Sequence, residues 1–198
     1  MPRLYFKYGT MGSSKTAQAL MCKFNYEQKG MNVLLLKPST DTRSGEGMVT
    51  SRVGLSAKCT TFSDNTNLIE LYNELKQKTH YDVIIVDESN FCTVEHINQL
   101  KQLTQEVPVL CYGLLNNFKC ELFPASKRLV ELSDSLQEIK SVCKCGRKST
   151  VNARRVNGIV VEDGPVILVG GDETYENMCY WCWRKAIEEG KKAQKEEK

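Results

Sequence analysis

A chain of 198 residues, 41% apolar and 26% charged, has the length of one domain with a small appendage and the composition of ordinary globular proteins. Its net charge of +3 is the small difference between 27 basic and 24 acidic residues, which implies no polyanionic partner. No apolar run nears the roughly 20 residues of a membrane span, and no signal-peptide pattern opens the chain, so the expected location is the cytoplasm.

The first half alternates strand-like and helix-like stretches. Leu4-Tyr-Phe-Lys-Tyr8 reads as a strand ending at Gly9. Helix formers fill Lys15 to Lys29, where Ala17, Leu20, Met21 and Phe24 recur at helical spacing, and Gly30 suits a C-cap. Asn32 to Lys37 is a continuous apolar run, as expected of a strand buried on both faces, and a polar loop from Pro38 to Thr50 follows. Asn67 to Lys78 predicts an amphipathic helix, Tyr81 to Val86 a buried strand, Val94 to Glu106 a helix and Pro108 to Tyr112 a fourth strand. This β-α-β order implies a parallel sheet flanked by helices, with ligands at the carboxyl ends of its strands.

The character changes near Ser141. Four cysteines in two close pairs, short β-like runs (Thr150 to Val156, Ile159 to Glu162, Val166 to Val169) and a helix from Trp181 predict a small β-rich appendage. The expected division is 1–140, 141–190, and a charged, frayed tail over 191–198.

Gly9-Thr-Met-Gly-Ser-Ser-Lys15-Thr16 joins the first strand to the first helix. It matches G-x-x-x-x-G-K-[ST] except that Ser14 replaces the second glycine. In such a loop successive backbone amides face phosphate oxygens, the lysine reaches the β- and γ-phosphates and the hydroxyl ligates magnesium. Gly9, Thr10, Met11, Gly12, Ser13, Ser14, Lys15 and Thr16 are therefore the candidate ATP-binding residues. A glycine-rich turn that binds nothing is the bland alternative. Asp87, closing the buried run Val83-Ile-Ile-Val-Asp87, weighs against it, because an acid at that strand end holds magnesium in P-loop enzymes. The fold class expected is a P-loop (RecA-like) parallel sheet. Glu88 follows at once and could deprotonate a hydroxyl acceptor, as in a kinase, or polarise a water, as in an ATPase.

The order of these pieces resembles the type II thymidine kinase family over nearly the whole chain. The resemblance rests on Gly9 to Thr16, Asp41-Thr-Arg43, Asp87-Glu-Ser-Asn-Phe91, Tyr112-Gly-Leu-Leu-Asn-Asn-Phe118, Gly170-Gly-Asp-Glu-Thr-Tyr175 and the two cysteine pairs. It implies transfer of phosphate from Mg-ATP to thymidine, with Glu88 as general base and Arg43 approaching the transferring phosphate. It implies that Met11 packs near the thymine, that Phe91, Phe118 and Phe123 wall the base, and that a lasso loop closes over the nucleoside. That loop comprises Val166, Ile167, Leu168, Val169, Gly170 and Tyr175, the last expected in a glycine-flanked loop. Plain core packing is the usual alternative for such phenylalanines. A homotetramer and feedback by dTTP belong to the same implication. Three positions depart from the family: Asn90, a candidate nucleotide contact, stands where glutamine is usual, Leu115 where a polar residue is common, and Ser14 where glycine is.

Nine cysteines, an odd number, do not form a complete disulfide framework. Cys143-Lys-Cys145 and Cys179-Tyr-Trp-Cys182 could supply the four thiolates of a tetrahedral zinc or remain free thiols. The first pair has the tighter C-x-C spacing, with Gly146 suited to a knuckle turn. The family carries a zinc site, and the resemblance implies one closed structural zinc on Cys143, Cys145, Cys179 and Cys182. Cys22, Cys59, Cys92, Cys111 and Cys120 are expected to be buried free thiols. The rival readings are a kinase for another deoxynucleoside, a P-loop ATPase driving a macromolecular partner, and a zinc module that binds nucleic acid through Lys140, Lys144, Arg147, Lys148, Arg154 and Arg155. The lack of an arginine-rich stripe counts against the ATPase, and a solvated face explains the basic residues equally well.

Overall fold

A computed structural model of the protein describes residues 3–40, 45, 47–164 and 174–196. Its centre is a six-stranded sheet in the order β5-β2-β6-β7-β1-β8, parallel throughout. The strands are β1 (Leu4–Tyr8), β2 (Val33–Pro38), β5 (Thr60–Phe62), β6 (Val83–Val86), β7 (Val109–Gly113) and β8 (Ser135–Glu138). A short antiparallel hairpin, β3 (Met48–Thr50) with β4 (Ser56–Lys58), stands beside it.

The continuous apolar runs become inner strands because both their faces are covered. Leu34, Leu36, Ile84 and Val86 pack with Leu68 and Tyr72 of α2 (Leu68–Lys76), Ile97 and Leu100 of α3 (Val94–Leu103) and Leu129 of α4 (Pro124–Leu132). Leu35, Val83, Ile85, Leu110 and Tyr112 face the other way, against Ala19 and Leu20 of α1 (Lys15–Glu27) and Val49 of the hairpin. The helices α2 and α3 follow the expected apolar pattern, but the stripe on α1 divides. Ala17 and Leu20 are buried, whereas Met21 and Phe24 are more than half exposed.

The helix ends explain the small differences in length. Asn67 caps α2 by accepting from the N–H of Ile69 and Glu70. Thr93 and His96 form a reciprocal capping box on α3, which closes in tight turns after Leu103 rather than running to Glu106. Gly30 follows α1 with φ of 73°, the left-handed conformation expected of a C-cap glycine. The sequence pattern did not disclose α4, β8, β5 or the hairpin. The strand β8 is a half-exposed edge with only one apolar residue, and α4 starts at Pro124 without a side-chain cap.

The cysteine-bearing lobe is a three-stranded antiparallel sheet, β10-β9-β11, backed by α5 (Tyr180–Glu196). Its strands are β9 (Val151–Val156), β10 (Ile159–Val161) and β11 (Tyr175–Met178). Alternation divides β9 between two faces. Val151 and Ala153 pack on Trp183 and Ile187 of α5, and Asn152 and Arg154 point the other way. Register sets Tyr175 beside Arg154 and Asn177 beside Asn152. Tyr175 therefore begins a strand instead of lying in a loop, because pairing with β9 overrides a segment with no apolar alternation of its own. The run Val166 to Val169 lies outside the described residues. No helix among the described residues is long and apolar enough to cross a membrane.

Candidate phosphate-transfer site

The carboxyl ends of β1, β6 and β7 meet on one edge of the sheet, and the candidate residues gather there. The loop from Gly9 to Thr16 leaves β1 and runs into α1. Gly9 is required by crowding, since a Cβ would lie 2.4 Å from the Ile139 carbonyl and 2.5 Å from Ser13 Oγ. Gly12 turns the loop at φ 74°. Ser14 adopts φ 63° and ψ 25°, so the chain keeps the left-handed geometry a glycine would take there, at a local cost of about 1–2 kcal/mol. Lys15 is buried, and its Nζ donates to the Thr10 carbonyl at 2.8 Å.

Asp87 is buried at the end of β6, where the Thr16 hydroxyl donates to its carboxylate. Burial, followed by the charge of Glu88, pushes its acid up to about 7, against the Thr16 bond, the Glu88 N–H and the Lys15 charge. A hydroxyl and a carboxylate that gains from a nearby cation are chemistry that fits a magnesium ion. Glu88 is half-buried and sits at φ 50°, a left-handed residue at the head of the single tight turn Ser89–Phe91. Two hydrogen bonds hold that turn on the end of β7. Ser89 Oγ donates to the Tyr112 carbonyl at 3.0 Å, Asn90 Oδ1 accepts from Leu114 N–H at 2.9 Å, and Gly113 leaves room for both. The second polar atom of Asn90, Nδ2, is buried without a hydrogen-bond partner among the described residues.

Of the three phenylalanines, Phe91 and Phe123 meet edge to face with centroids 6.0 Å apart. Phe118 packs under the Arg154 guanidinium, 5.2 Å from its ring centre. Tyr175, beside Arg154 on the same face of the small sheet, has its hydroxyl's pKa raised by burial. The Met11 side chain is half-buried, and its backbone N–H donates to Asn152 Oδ1 at 2.7 Å. Leu115 packs at the margin of the main core. Arg43 and Val166, Ile167, Leu168, Val169 and Gly170 lie outside the described residues.

Three residues at the site escaped the sequence reading. Arg52, in the hairpin turn, brings its guanidinium to 3.6 Å from the Cβ position of Gly12. From sequence, Arg154 stands only among the basic residues of a nucleic-acid module or a solvated face, and Asn152 is not singled out. Period-two alternation along Val151 to Arg154 was the available signal for the last two. No local pattern foretold Arg52.

Cys143, Cys145, Cys179 and Cys182 converge until their four sulfurs lie within 4.8 Å of one another. The Sγ atoms of Cys145 and Cys179 are 3.6 Å apart, close to the roughly 3.8 Å edge of a tetrahedron with metal–sulfur bonds of about 2.3 Å. The first pair forms a tight knuckle, in which Cys143 N–H donates to Arg147 O and Gly146, at φ 83°, donates to Cys143 O. The Cys182 N–H lowers the Cys179 thiol to about 7, which favours the ligating thiolate. The four thiols have the geometry to hold a metal ion. Among the other thiols, Cys92 and Cys111 are buried as expected, while Cys22, Cys59 and Cys120 are only partly so.

A family model described as thymidine kinase matches residues 2–183. The chain belongs to the thymidine kinase family. It is 42% identical over 183 residues to a thymidine kinase of Legionella pneumophila (strain Lens), covering 90% of this chain and 88% of that one. A thymidine kinase of Shewanella oneidensis is 38% identical over 190 residues, covering 94% and 99%. One of Agrobacterium fabrum is 40% identical over 186 residues, covering 92% and 96%.

The seating of Glu88 on β7 leads to a first prediction. In Gly113→Ala the new Cβ would meet Ser89 Oγ at 2.6 Å and the Asn90 backbone N at 3.0 Å, and that backbone cannot yield without moving the turn. The variant should lose about 1–3 kcal/mol of stability and a larger share of kcat than of nucleotide affinity. Thermal unfolding and steady-state kinetics measure both, and an unchanged kcat would show that the turn's seating does not matter.

Proposed function

We propose that the protein transfers the γ-phosphate of Mg-ATP to the 5′-hydroxyl of thymidine, giving dTMP and ADP. The observation that carries this reading is the placement of a second acid, Glu88, directly after the buried Asp87 and beside the phosphate loop of a thymidine kinase family member. Membership supports the substrate, and the two adjacent acids support a division of labour.

Lys15 and the loop amides bind the phosphates, while Thr16 and Asp87 are the residues that would hold magnesium. When bound, that ion neutralises charge on the β- and γ-phosphates. Glu88 accepts the proton of the 5′-hydroxyl as its oxygen attacks the γ-phosphorus. The bond from phosphorus to the β,γ-bridging oxygen breaks, and ADP leaves. Asn90 offers its unused Nδ2 to a bound ligand, and Arg43 and Arg52 supply positive charge near the transferring group. Met11, Phe91, Phe118, Phe123, Tyr175 and the segment Val166 to Gly170 receive the nucleoside. A homotetramer, inhibition by dTTP and a cytoplasmic location complete the reading, as does the division at residue 140. Light scattering and initial rates with added dTTP test the first two.

Purified protein with Mg-ATP and a panel of nucleosides should give dTMP from thymidine as the main product. Free hydrolysis of ATP with no nucleoside monophosphate would favour an ATPase instead. Glu88→Gln should keep both substrates bound yet lose about 10²–10⁴-fold in kcat, because only the basic lone pair is removed. Full activity in that variant would assign the proton to another group.

The metal of the cysteine cluster is proposed to be zinc, one per chain, held by Cys143, Cys145, Cys179 and Cys182. The four-sulfur geometry supports a closed structural site. Elemental analysis should find one zinc per chain in active protein, and about none in a Cys182→Ser variant washed with chelator. Active protein without zinc would leave four ordinary thiols.

A further inference from the structure

The amide of Asn152 is anchored at both ends. Its Oδ1 accepts from Met11 N–H at 2.7 Å, and its Nδ2 donates to the Asn116 carbonyl at 2.9 Å. Because one end meets a donor and the other an acceptor, the amide has a single satisfied orientation. The side chain is buried on β9, on the face turned away from α5. A strand of the cysteine lobe thus reaches directly into the phosphate loop.

The N–H that Asn152 holds belongs to the Thr10–Met11 peptide. That peptide is trans, so its carbonyl points opposite to its N–H. The same carbonyl accepts from Lys15 Nζ at 2.8 Å and from Ser13 N–H at 3.2 Å. The Thr10 hydroxyl is tied in turn to Ser141 Oγ at 2.5 Å, two residues before the first cysteine of the cluster. Asn177, beside Asn152 on β11, donates to that same Ser141 Oγ at 3.3 Å. The plane of one peptide therefore sets where the loop lysine rests, and side chains of the cysteine lobe set the plane.

We propose that Asn152 is a positioning residue that orients the Thr10–Met11 peptide and, through its carbonyl, the nucleotide-binding amine of Lys15. The proposal rests on the reading of residues 9–16 as the phosphate loop. Asn152 acts on Lys15 without touching the nucleotide. Without it, the Thr10–Met11 peptide loses its tie to the cysteine lobe on the N–H side, and the rest position of Lys15 shifts.

The test uses the full chain, with Mg-ADP as probe in calorimetric titrations and zinc content measured alongside. Asn152→Leu removes both hydrogen bonds at similar volume. It should weaken Mg-ADP about tenfold, the consequence of unpairing a held donor, while zinc stays at the wild-type level. In a Lys15→Ala background the same change should cost less than about threefold, since the group through which Asn152 acts is gone. Equal losses in both backgrounds, or no loss in either, would overturn the proposal, because a merely structural defect would add independently of Lys15. Asn152→Ser gives the same comparison if the leucine variant does not fold. If Lys15→Ala alone leaves Mg-ADP affinity unchanged while Asn152→Leu weakens it, the phosphate-loop reading fails and the proposal with it.

Discussion

The hydrogen bond from Thr16 to Asp87 joins the two elements on which the rest of the site depends. The Asp87 carboxylate is buried at the end of a strand whose four residues are all buried, and burial alone drives it toward the neutral acid. Its ionised form is supported by Thr16, by the Glu88 amide and by the Lys15 charge, and two of those three come from the start of α1. The mouth of the phosphate loop and the end of β6 must therefore be in register before either can function. Parallel pairing of β6 with β7 and of β7 with β1 supplies that register. The hydrophobic core, by fixing which strands are central, fixes where the charges meet.

Two non-glycine residues in left-handed conformation, Ser14 and Glu88, flank this contact on opposite sides. Each costs free energy locally and persists because neighbours over-determine it. For Glu88 the neighbours are the end of β7, with its serine and asparagine bonds and a glycine that no other residue could replace without collision. For the loop that carries Ser14, they include residues of the cysteine lobe. The lobe that would carry the metal thus also braces the loop from Gly9 to Thr16, and the two parts of the chain meet there.

How much of this was legible beforehand depended on range. The strands Val33 to Pro38 and Val83 to Val86 were visible as uninterrupted apolar runs, and α2 and α3 as periodic segments, because burial writes itself into local pattern. The residues around the phosphate loop were visible because phosphate chemistry demands particular types at fixed spacing. The four cysteines were visible as two pairs, although convergence of their sulfurs required the fold. What stayed hidden was tertiary. Tyr175 became a strand residue only through pairing with β9, Met21 and Phe24 looked like core but face outward, and Arg52 and Asn152 reach the loop from segments with no motif of their own. Leu136, alone among polar neighbours on the exposed strand β8, offered no alternation to read.

The proposed reaction is direct transfer, with Glu88 acting as a base and not as a nucleophile. The stereochemical course at phosphorus tests this most directly, using thymidine with ATP made chiral at the γ-phosphorus by oxygen isotopes. A single in-line displacement inverts the configuration in the dTMP formed. Inversion is the result this structure predicts. Retention would mean two displacements through a phosphorylated side chain, and would contradict the assignment of Glu88 and of the site built around it.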